Sequence, residues 1–237
     1  MPSVEARTLT AIGLGHSTDA PPRALTRRRQ RATMRYAAMM TAESLSVRVA
    51  AIGASAGGVT ALQTVVAALP GDFAAAVLVV LHLHPATPSR LAWLLGRHSA
   101  LPVQSAAEGS VIAAGTVYVA VPDLHLMLDG RRIRLVPSER VHHVRPSIDL
   151  LFASLARSCG AGATVAVLTG TGLDGAAGVV AVKAAGGTTV VQDPAEAAFP
   201  GMPAAALATG CVDHVVPLAG IAPLLARLAG AAAARSA

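Results

Sequence analysis

The sequence has few aromatic residues, few charges and almost no cysteine. Aromatic residues make up 3% of the 237 residues and charged residues 14%, whereas 53% are hydrophobic. A core without large rings must consist of alanine, valine, leucine and isoleucine, which fit closely where helices cover a sheet. The two cysteines, Cys159 and Cys211, lie far apart and lack metal-ligand spacing. We therefore expect two reduced thiols, no metal site and no cofactor held by cysteine.

Long hydrophobic runs are also missing. No uninterrupted stretch of 18 apolar residues occurs, and the longest strongly apolar stretch, residues 73–81, has the length of a buried strand. The arginines near the N-terminus are not followed by the apolar segment that a secretory signal requires. The sequence therefore predicts a cytoplasmic protein that does not insert into a membrane.

The positive charge is confined to one end of the chain. The formal net charge is +6, but residues 1–40 carry seven arginines against two acidic residues, which leaves the remaining 197 residues at +1. A nearly neutral body gives no reason to expect a nucleic-acid partner. Residues 1–46 have no regular apolar period, so we predict a basic, disordered tail there, a folded domain over 47–231, and a disordered C-terminus over 232–237.

From residue 47 onward, apolar strands alternate with amphipathic helices, which predicts a doubly wound, mostly parallel α/β sheet with helices on both faces. Asp129-Gly130 predicts a two-residue turn in an added antiparallel hairpin. The predicted strands are 47–52, 75–81, 124–128, 131–136, 163–168, 188–191 and 212–216. The predicted helices are those beginning near residues 59, 90, 148, 175, 202 and 218.

Gly53-Ala54-Ser55-Ala56-Gly57 has the form G-x-S-x-G and lies between a predicted strand and a predicted helix. Such a turn exposes the serine hydroxyl at the edge of the sheet, where the free amides of the helix favour an oxyanion. A serine at this position caps a helix about as often, so the pentapeptide alone leaves both roles open.

Two further residues follow other strands at the same edge. His82 comes directly after the strand that ends at Leu81, with His84 as a competing candidate, and Asp174 lies in the loop after the strand 163–168. Loops that follow parallel strands converge at one edge of an open sheet. We therefore expect Ser55, His82 and Asp174 to meet there as nucleophile, base and orienting carboxylate.

A competing interpretation comes from Gly170-x-Gly172-x-x-Gly175, which has the form of a dinucleotide-binding fingerprint. Asp193 follows about 20 residues later, where a ribose-binding acid would stand. This alternative predicts an enzyme that binds a nicotinamide dinucleotide. It places the fingerprint late in the domain and leaves Ser55 and His82 without a role.

Five ordered segments resemble the catalytic domain of CheB-type protein-glutamate methylesterases over about residues 47–228. They are residues 52–58, 80–85, 145–149, 168–176 and 201–203. The resemblance implies that Ser55 is the nucleophile, His82 the general base and Asp174 the carboxylate that orients it, with no cofactor and no metal. It also implies hydrolysis of glutamyl methyl esters, and in some members deamidation of glutamines, on the cytoplasmic domain of methyl-accepting chemotaxis receptors.

The sequence departs from the family pattern at three places. Ala56 stands where threonine is usual and Thr171 where methionine is common, which raises the alternative of a catalytically silent receptor-binding module. Residues 1–46 are too short to form the receiver domain that usually precedes the catalytic domain. We therefore expect that any control by phosphorylation comes from a separate receiver protein.

Overall fold

The computed structural model describes residues 48–82 and 89–231. The predicted N-terminal tail and the C-terminal hexapeptide lie outside this range, as does His84. The strands are β1 (Val49–Ala54), β2 (Ala76–Leu81), β3 (Val103–Ser105), β4 (Val117–Val119), β5 (His125–Asp129), β6 (Arg132–Val136), β7 (Ala163–Val167), β8 (Thr188–Gln192) and β9 (His214–Val216). The helices are α1 (Gly58–Ala67), α2 (Leu91–Gly96), α3 (Ile148–Cys159), α4 (Ala176–Ala184), α5 (Gly201–Ala208) and α6 (Leu218–Ala231), with a 3₁₀ turn at Gly160–Gly162.

Seven strands form one sheet in the order β3-β4-β2-β1-β7-β8-β9, and every neighbouring pair is parallel. All residues of β1 and β2 are buried, which explains why these strands consist of continuous apolar runs rather than alternating ones. The predicted doubly wound parallel sheet is confirmed.

Helices cover both faces of this sheet. On one face, α1, α2 and α6 contribute Leu62, Leu95 and Leu225 to an apolar cluster. On the other, α3 and α5 contribute Phe152 and Met202, and the hairpin β5–β6 packs there as well. Because each face is covered, side chains pointing in both directions from the central strands are removed from water.

The antiparallel hairpin is confirmed, but its turn lies one residue later than predicted. Asp129 pairs with Arg132, so the loop consists of Gly130 and Arg131. Gly130 has φ 56°, a backbone conformation that glycine adopts without strain, and this requirement places it first in the two-residue loop. The hairpin forms a sheet of its own.

Two strands of the sheet were not predicted from the sequence. β3 and β4 have three residues each and extend the sheet on the β2 side. Three residues are too few to show a periodic pattern, and such strands exist because neighbouring strands offer them hydrogen bonds. In the described part of the chain, no helix combines the length and the apolar character needed to cross a membrane.

Candidate active site

Ser55 lies in the turn between β1 and α1. The residue that caps α1 is Gly57, whose φ of 73° and ψ of −5° are left-handed, and the cap uses no side-chain hydrogen bond. The Ser55 amide donates to the carbonyl of Thr169 at 3.0 Å, which ties the turn to the loop after β7. Ser55 is therefore not the residue that caps this helix.

His82 is the neighbour of this turn on the next strand. β1 and β2 pair in register with Ala54 opposite Leu81, and the His82 amide donates to the Ala54 carbonyl at 3.1 Å. Adjacent strands lie about 4.8 Å apart, so the residues that follow them, Ser55 and His82, emerge side by side at the same edge. The imidazole is 11% exposed.

Asp174 is brought to His82 across 92 residues of sequence. Its Oδ2 lies 2.8 Å from His82 Nε2, and its side chain is only 3% exposed. Three further donors surround the carboxylate: the amide of Ile148 at 2.7 Å, the hydroxyl of Ser147 at 2.9 Å and the amide of Asp149 at 3.0 Å. The carboxylate thus sits against the N-terminus of α3, where free amides and the helix dipole stabilise a negative charge.

These contacts decide the charge of Asp174. Burial alone would raise the pKa of its carboxyl, but the hydrogen bond from His82 and those from the amides of Asp149 and Ile148 lower it below its ordinary value. A carboxylate that stays ionised can hold the imidazole in one orientation and stabilise its protonated form. The pair therefore has the arrangement of a base and its orienting acid.

Sequence reasoning did not identify a second buried acid, Asp149. Its Oδ1 accepts hydrogen bonds from the amides of Gly175 at 2.9 Å and Gly178 at 2.7 Å, which are at the N-terminus of α4. Burial and the nearby charge of Asp174 raise the pKa of Asp149 although both amides lower it. Asp149 is the last residue of the third family-like segment, but a single acid in the first turn of a helix has no sequence pattern that separates it from an ordinary cap.

Two polar side chains, those of Thr169 and Gln192, hold the turn that carries Ser55. The hydroxyl of Thr169 donates to the carbonyl of Ala56 at 3.0 Å and accepts from the amide of Phe199 at 2.9 Å. The amide of Thr169 in turn donates to the side-chain oxygen of buried Gln192 at 2.8 Å. These bonds fix the peptide between Ala56 and Gly57. Thr169 lies within the fourth family-like segment, whereas no sequence pattern pointed to Gln192.

A metal does not fit the cluster formed by His142, Asp149 and Asp174. Ligand atoms of His142, Asp149 and Asp174 all lie within 4.8 Å of one another. Both oxygens of Asp174 and one oxygen of Asp149 are already engaged by N–H and O–H donors, so a cation would have to displace bonds that hold two helix ends. The His142 side chain is 44% exposed, and its Nε2 lies 3.3 Å from Asp149 Oδ2.

The dinucleotide interpretation meets a physical obstacle at the same place. A pyrophosphate would bind the amides at the N-terminus of the helix that follows the fingerprint, which is α4. The Asp149 carboxylate already occupies the amides of Gly175 and Gly178. At Gly170, an added Cβ would lie 2.8 Å from Ser55 Cβ, so this glycine is required by close packing against the serine turn. Packing and helix capping therefore account for these glycines.

Comparison with known proteins agrees with this geometry. The family model described as CheB methylesterase matches residues 50–225. The chain belongs to the CheB methylesterase family. This membership accounts for the five ordered segments and does not support the dinucleotide alternative.

Several CheB relatives are similar over most of the chain. A protein-glutamate methylesterase/protein-glutamine glutaminase from Burkholderia orbicola is 40% identical over 96% of this chain and 70% of its own length. One of the same name from Halobacterium salinarum is 42% identical over 70% of this chain. This chain covers 50% of the Halobacterium protein, so it spans between half and 70% of the length of these relatives.

A solved structure confirms the fold. The catalytic domain of the CheB methylesterase from Thermotoga maritima superposes with a TM-score of 0.74 and is 32% identical in sequence. The match covers 78% of this chain and 100% of that domain. The mostly parallel sheet with a separate antiparallel pair is thus the fold of a CheB catalytic domain.

Proposed function

We propose that this chain is a protein-glutamate methylesterase, a carboxylic ester hydrolase that also deamidates glutamines, with Ser55, His82 and Asp174 as its catalytic residues. The observation that carries the proposal is the 2.8 Å hydrogen bond between His82 and Asp174, at the edge of the sheet where Ser55 directly follows β1. The names of the related proteins, which include both activities, support the same conclusion.

In the proposed reaction, Ser55 Oγ attacks the ester carbonyl of a glutamyl methyl ester and gives its proton to His82. Since His82 Nε2 is bonded to Asp174, we assign the role of accepting this proton to Nδ1. The tetrahedral intermediate then breaks its bond to the methoxy oxygen, which leaves as methanol with the proton from His82. A water molecule, deprotonated by the same imidazole, then attacks the acyl-enzyme; its bond to Ser55 Oγ breaks, His82 returns the proton to Ser55, and a glutamyl carboxylate remains on the substrate protein.

One backbone amide beside Ser55 completes the proposed mechanism. The amide of Ser55 is committed to Thr169, whereas the amide of Ala56 has no hydrogen-bond partner within residues 48–82 and 89–231. Ala56 also stands in the turn that leads into α1, whose N-terminus favours negative charge. We assign the oxyanion-binding role to this amide, whose loss would raise the barrier by about 3–4 kcal/mol. Because the donor is a backbone N–H group, it is present whether residue 56 is alanine or the threonine that is usual in the family.

The proposal extends to the partner and the location. The substrate is the cytoplasmic domain of a methyl-accepting chemotaxis receptor, and the enzyme acts in the cytoplasm as part of signal transduction. A separate receiver protein is the proposed source of control by phosphorylation. The family of this chain and the protein substrates in the names of its relatives support these assignments.

A serine-directed phosphonate tests the nucleophile. We expect stoichiometric labelling of the wild type, no labelling of Ser55→Ala, and unchanged labelling of Ser105→Ala, which alters an exposed serine at the end of β3. Methanol release from methylated receptor membranes should follow the same order. A folded wild type that resists labelling would refute the proposal. Receptor binding by the wild type without any methanol release would instead indicate the silent binding module.

A further inference from the structure

The carboxylates of Asp174 and Asp149 each accept backbone amides at the start of the helix beside the other residue. Asp174 stands just before α4, yet its carboxylate accepts the amides of Ile148 and Asp149 in the first turn of α3. Asp149 stands in that first turn, yet its carboxylate accepts the amides of Gly175 and Gly178 at the start of α4. Each acid therefore caps the helix that begins beside the other, and we call this pair of contacts the reciprocal cap.

The reciprocal cap acts directly on the peptide of Asp174. Gly175 is the next residue, so the bond from its amide to Asp149 Oδ1 fixes the backbone that carries the Asp174 side chain. Gly175 has φ 103°, a conformation that non-glycine residues rarely adopt. With Asp149 7% exposed and Asp174 3% exposed, water cannot easily replace these bonds.

His142 contacts the reciprocal cap from the solvent side. Its Nε2 lies 3.3 Å from Asp149 Oδ2, the oxygen that the α4 amides leave unused. The imidazole reaches this position from a tight turn in which Val141 and Val144 exchange backbone hydrogen bonds of 3.1 and 2.9 Å. His142 and His143 both have positive φ, at 48° and 65°, which is uncommon for non-glycine residues. The turn thus holds an imidazole against the second acid.

We propose that Asp149 is a positioning residue for the methylesterase reaction, which fixes the Asp174 carboxylate against His82 through the amides of Gly175 and Gly178. This inference rests on the proposed function, since it assigns Asp174 the role of orienting the base. Asp149 itself touches neither the substrate nor the imidazole of His82. Its effect is on the distance and angle of the His82–Asp174 bond.

The role requires an acceptor oxygen rather than a negative charge. Burial and the neighbouring Asp174 raise the pKa of Asp149, so its environment disfavours the ionised form. An asparagine has the same shape and keeps one oxygen toward Gly175 and Gly178. Asp149→Asn should therefore preserve the geometry, whereas Asp149→Ala should release Gly175 and let Asp174 move. A displacement of about 1 Å at a catalytic group lowers the rate about a hundredfold.

The test compares kcat and KM for methanol release in the wild type, Asp149→Asn, Asp149→Ala and Asp213→Ala. Asp213 is a matched control because its carboxylate also accepts a backbone amide, that of Thr189, but lies away from the triad. We expect kcat to fall about a hundredfold in Asp149→Ala with KM little changed, and to stay within about fivefold in Asp149→Asn and Asp213→Ala. All variants are measured well below their own unfolding temperatures, so that loss of folded protein does not enter kcat.

Three results would show whether the positioning role or the proposed function itself is wrong. An Asp149→Ala enzyme with nearly wild-type kcat would overturn the positioning role, and so would an Asp149→Asn enzyme as impaired as the alanine variant, because charge would then be the property used. If Asp149→Ala does not fold, Asp149→Ser, whose short hydroxyl cannot reach both amides, is judged by the same criteria. A wild type without methanol release and without phosphonate labelling would contradict the proposed function itself.

Discussion

Replacing Asp174 with asparagine tests the active-site geometry most directly. The carboxylate accepts four hydrogen bonds, two at each oxygen: Oδ1 from Ser147 and the amide of Asp149, Oδ2 from His82 and the amide of Ile148. An asparagine has only one acceptor oxygen. In either orientation its NH2 group must face one backbone amide of α3, so one buried donor loses its partner.

The loss of stability in Asp174→Asn can be estimated from the number of hydrogen bonds that are lost. One buried donor without a partner costs about 1–3 kcal/mol, and in a domain of this size about 2 kcal/mol lowers the unfolding temperature by about 4–8 °C. The catalytic loss should be larger. With the NH2 group toward His82, the imidazole must accept rather than donate there and so holds its proton on the wrong nitrogen. Such a change of tautomer lowers kcat by about 10⁴-fold in a serine triad.

The two effects are measured by methanol release and by thermal unfolding, with Asp129→Asn as a control at an exposed hairpin residue. We expect Asp174→Asn to lose at least a thousandfold in kcat and Asp129→Asn to lose none. The reasoning is wrong if Asp174→Asn keeps more than about a tenth of the wild-type kcat while folded.

The same variant has a predictable pH dependence. The folded-state pKa of Asp174 is lowered, so its ionised form contributes stability above the pKa of the unfolded chain, about 4, and this contribution is lost as the pH falls through the folded-state value. The difference in unfolding temperature between wild type and Asp174→Asn should therefore be constant near neutral pH and shrink below about pH 4. A difference that grows in acid would contradict the assignment of a stabilised carboxylate.

Two further predictions concern the thiols and the glycine beside Ser55. Burial raises the pKa of Cys159 to about 11. At pH 8 a thiol reagent should therefore modify half-buried Cys211 quickly and Cys159 only after unfolding, and equal rates in the native protein would contradict this reasoning. Gly170→Ala would place a methyl group 2.8 Å from Ser55 Cβ. We therefore expect the free energy of unfolding to fall by about 1–3 kcal/mol and phosphonate labelling to become slower. The control Gly71→Ala, whose added methyl group would lie 3.8 Å from its nearest neighbour, should leave labelling unchanged.

The sequence was sufficient to predict five of the seven strands of the sheet, all except β3 and β4, and the edge at which the candidate site lies. Apolar runs without alternation indicate parallel strands buried on both faces, and residues that directly follow such strands emerge at one edge because all the strands point the same way. That rule brought Ser55, His82 and Asp174 into one neighbourhood. It also allowed the boundaries of β1 and the hairpin turn to be wrong by one or two residues without changing the topology.

Only the tertiary structure decided how the acids are held. Asp149 and Asp174 are bonded to amides 25 to 29 residues away in the chain. Contacts at that separation depend on how α3 and α4 are packed against the sheet and have no local period to reveal them. For the same reason the sequence left Ser55 open to a capping role, which the structure excludes by giving the cap to Gly57. Periodicity is a property of single elements, whereas a catalytic geometry depends on where several elements meet.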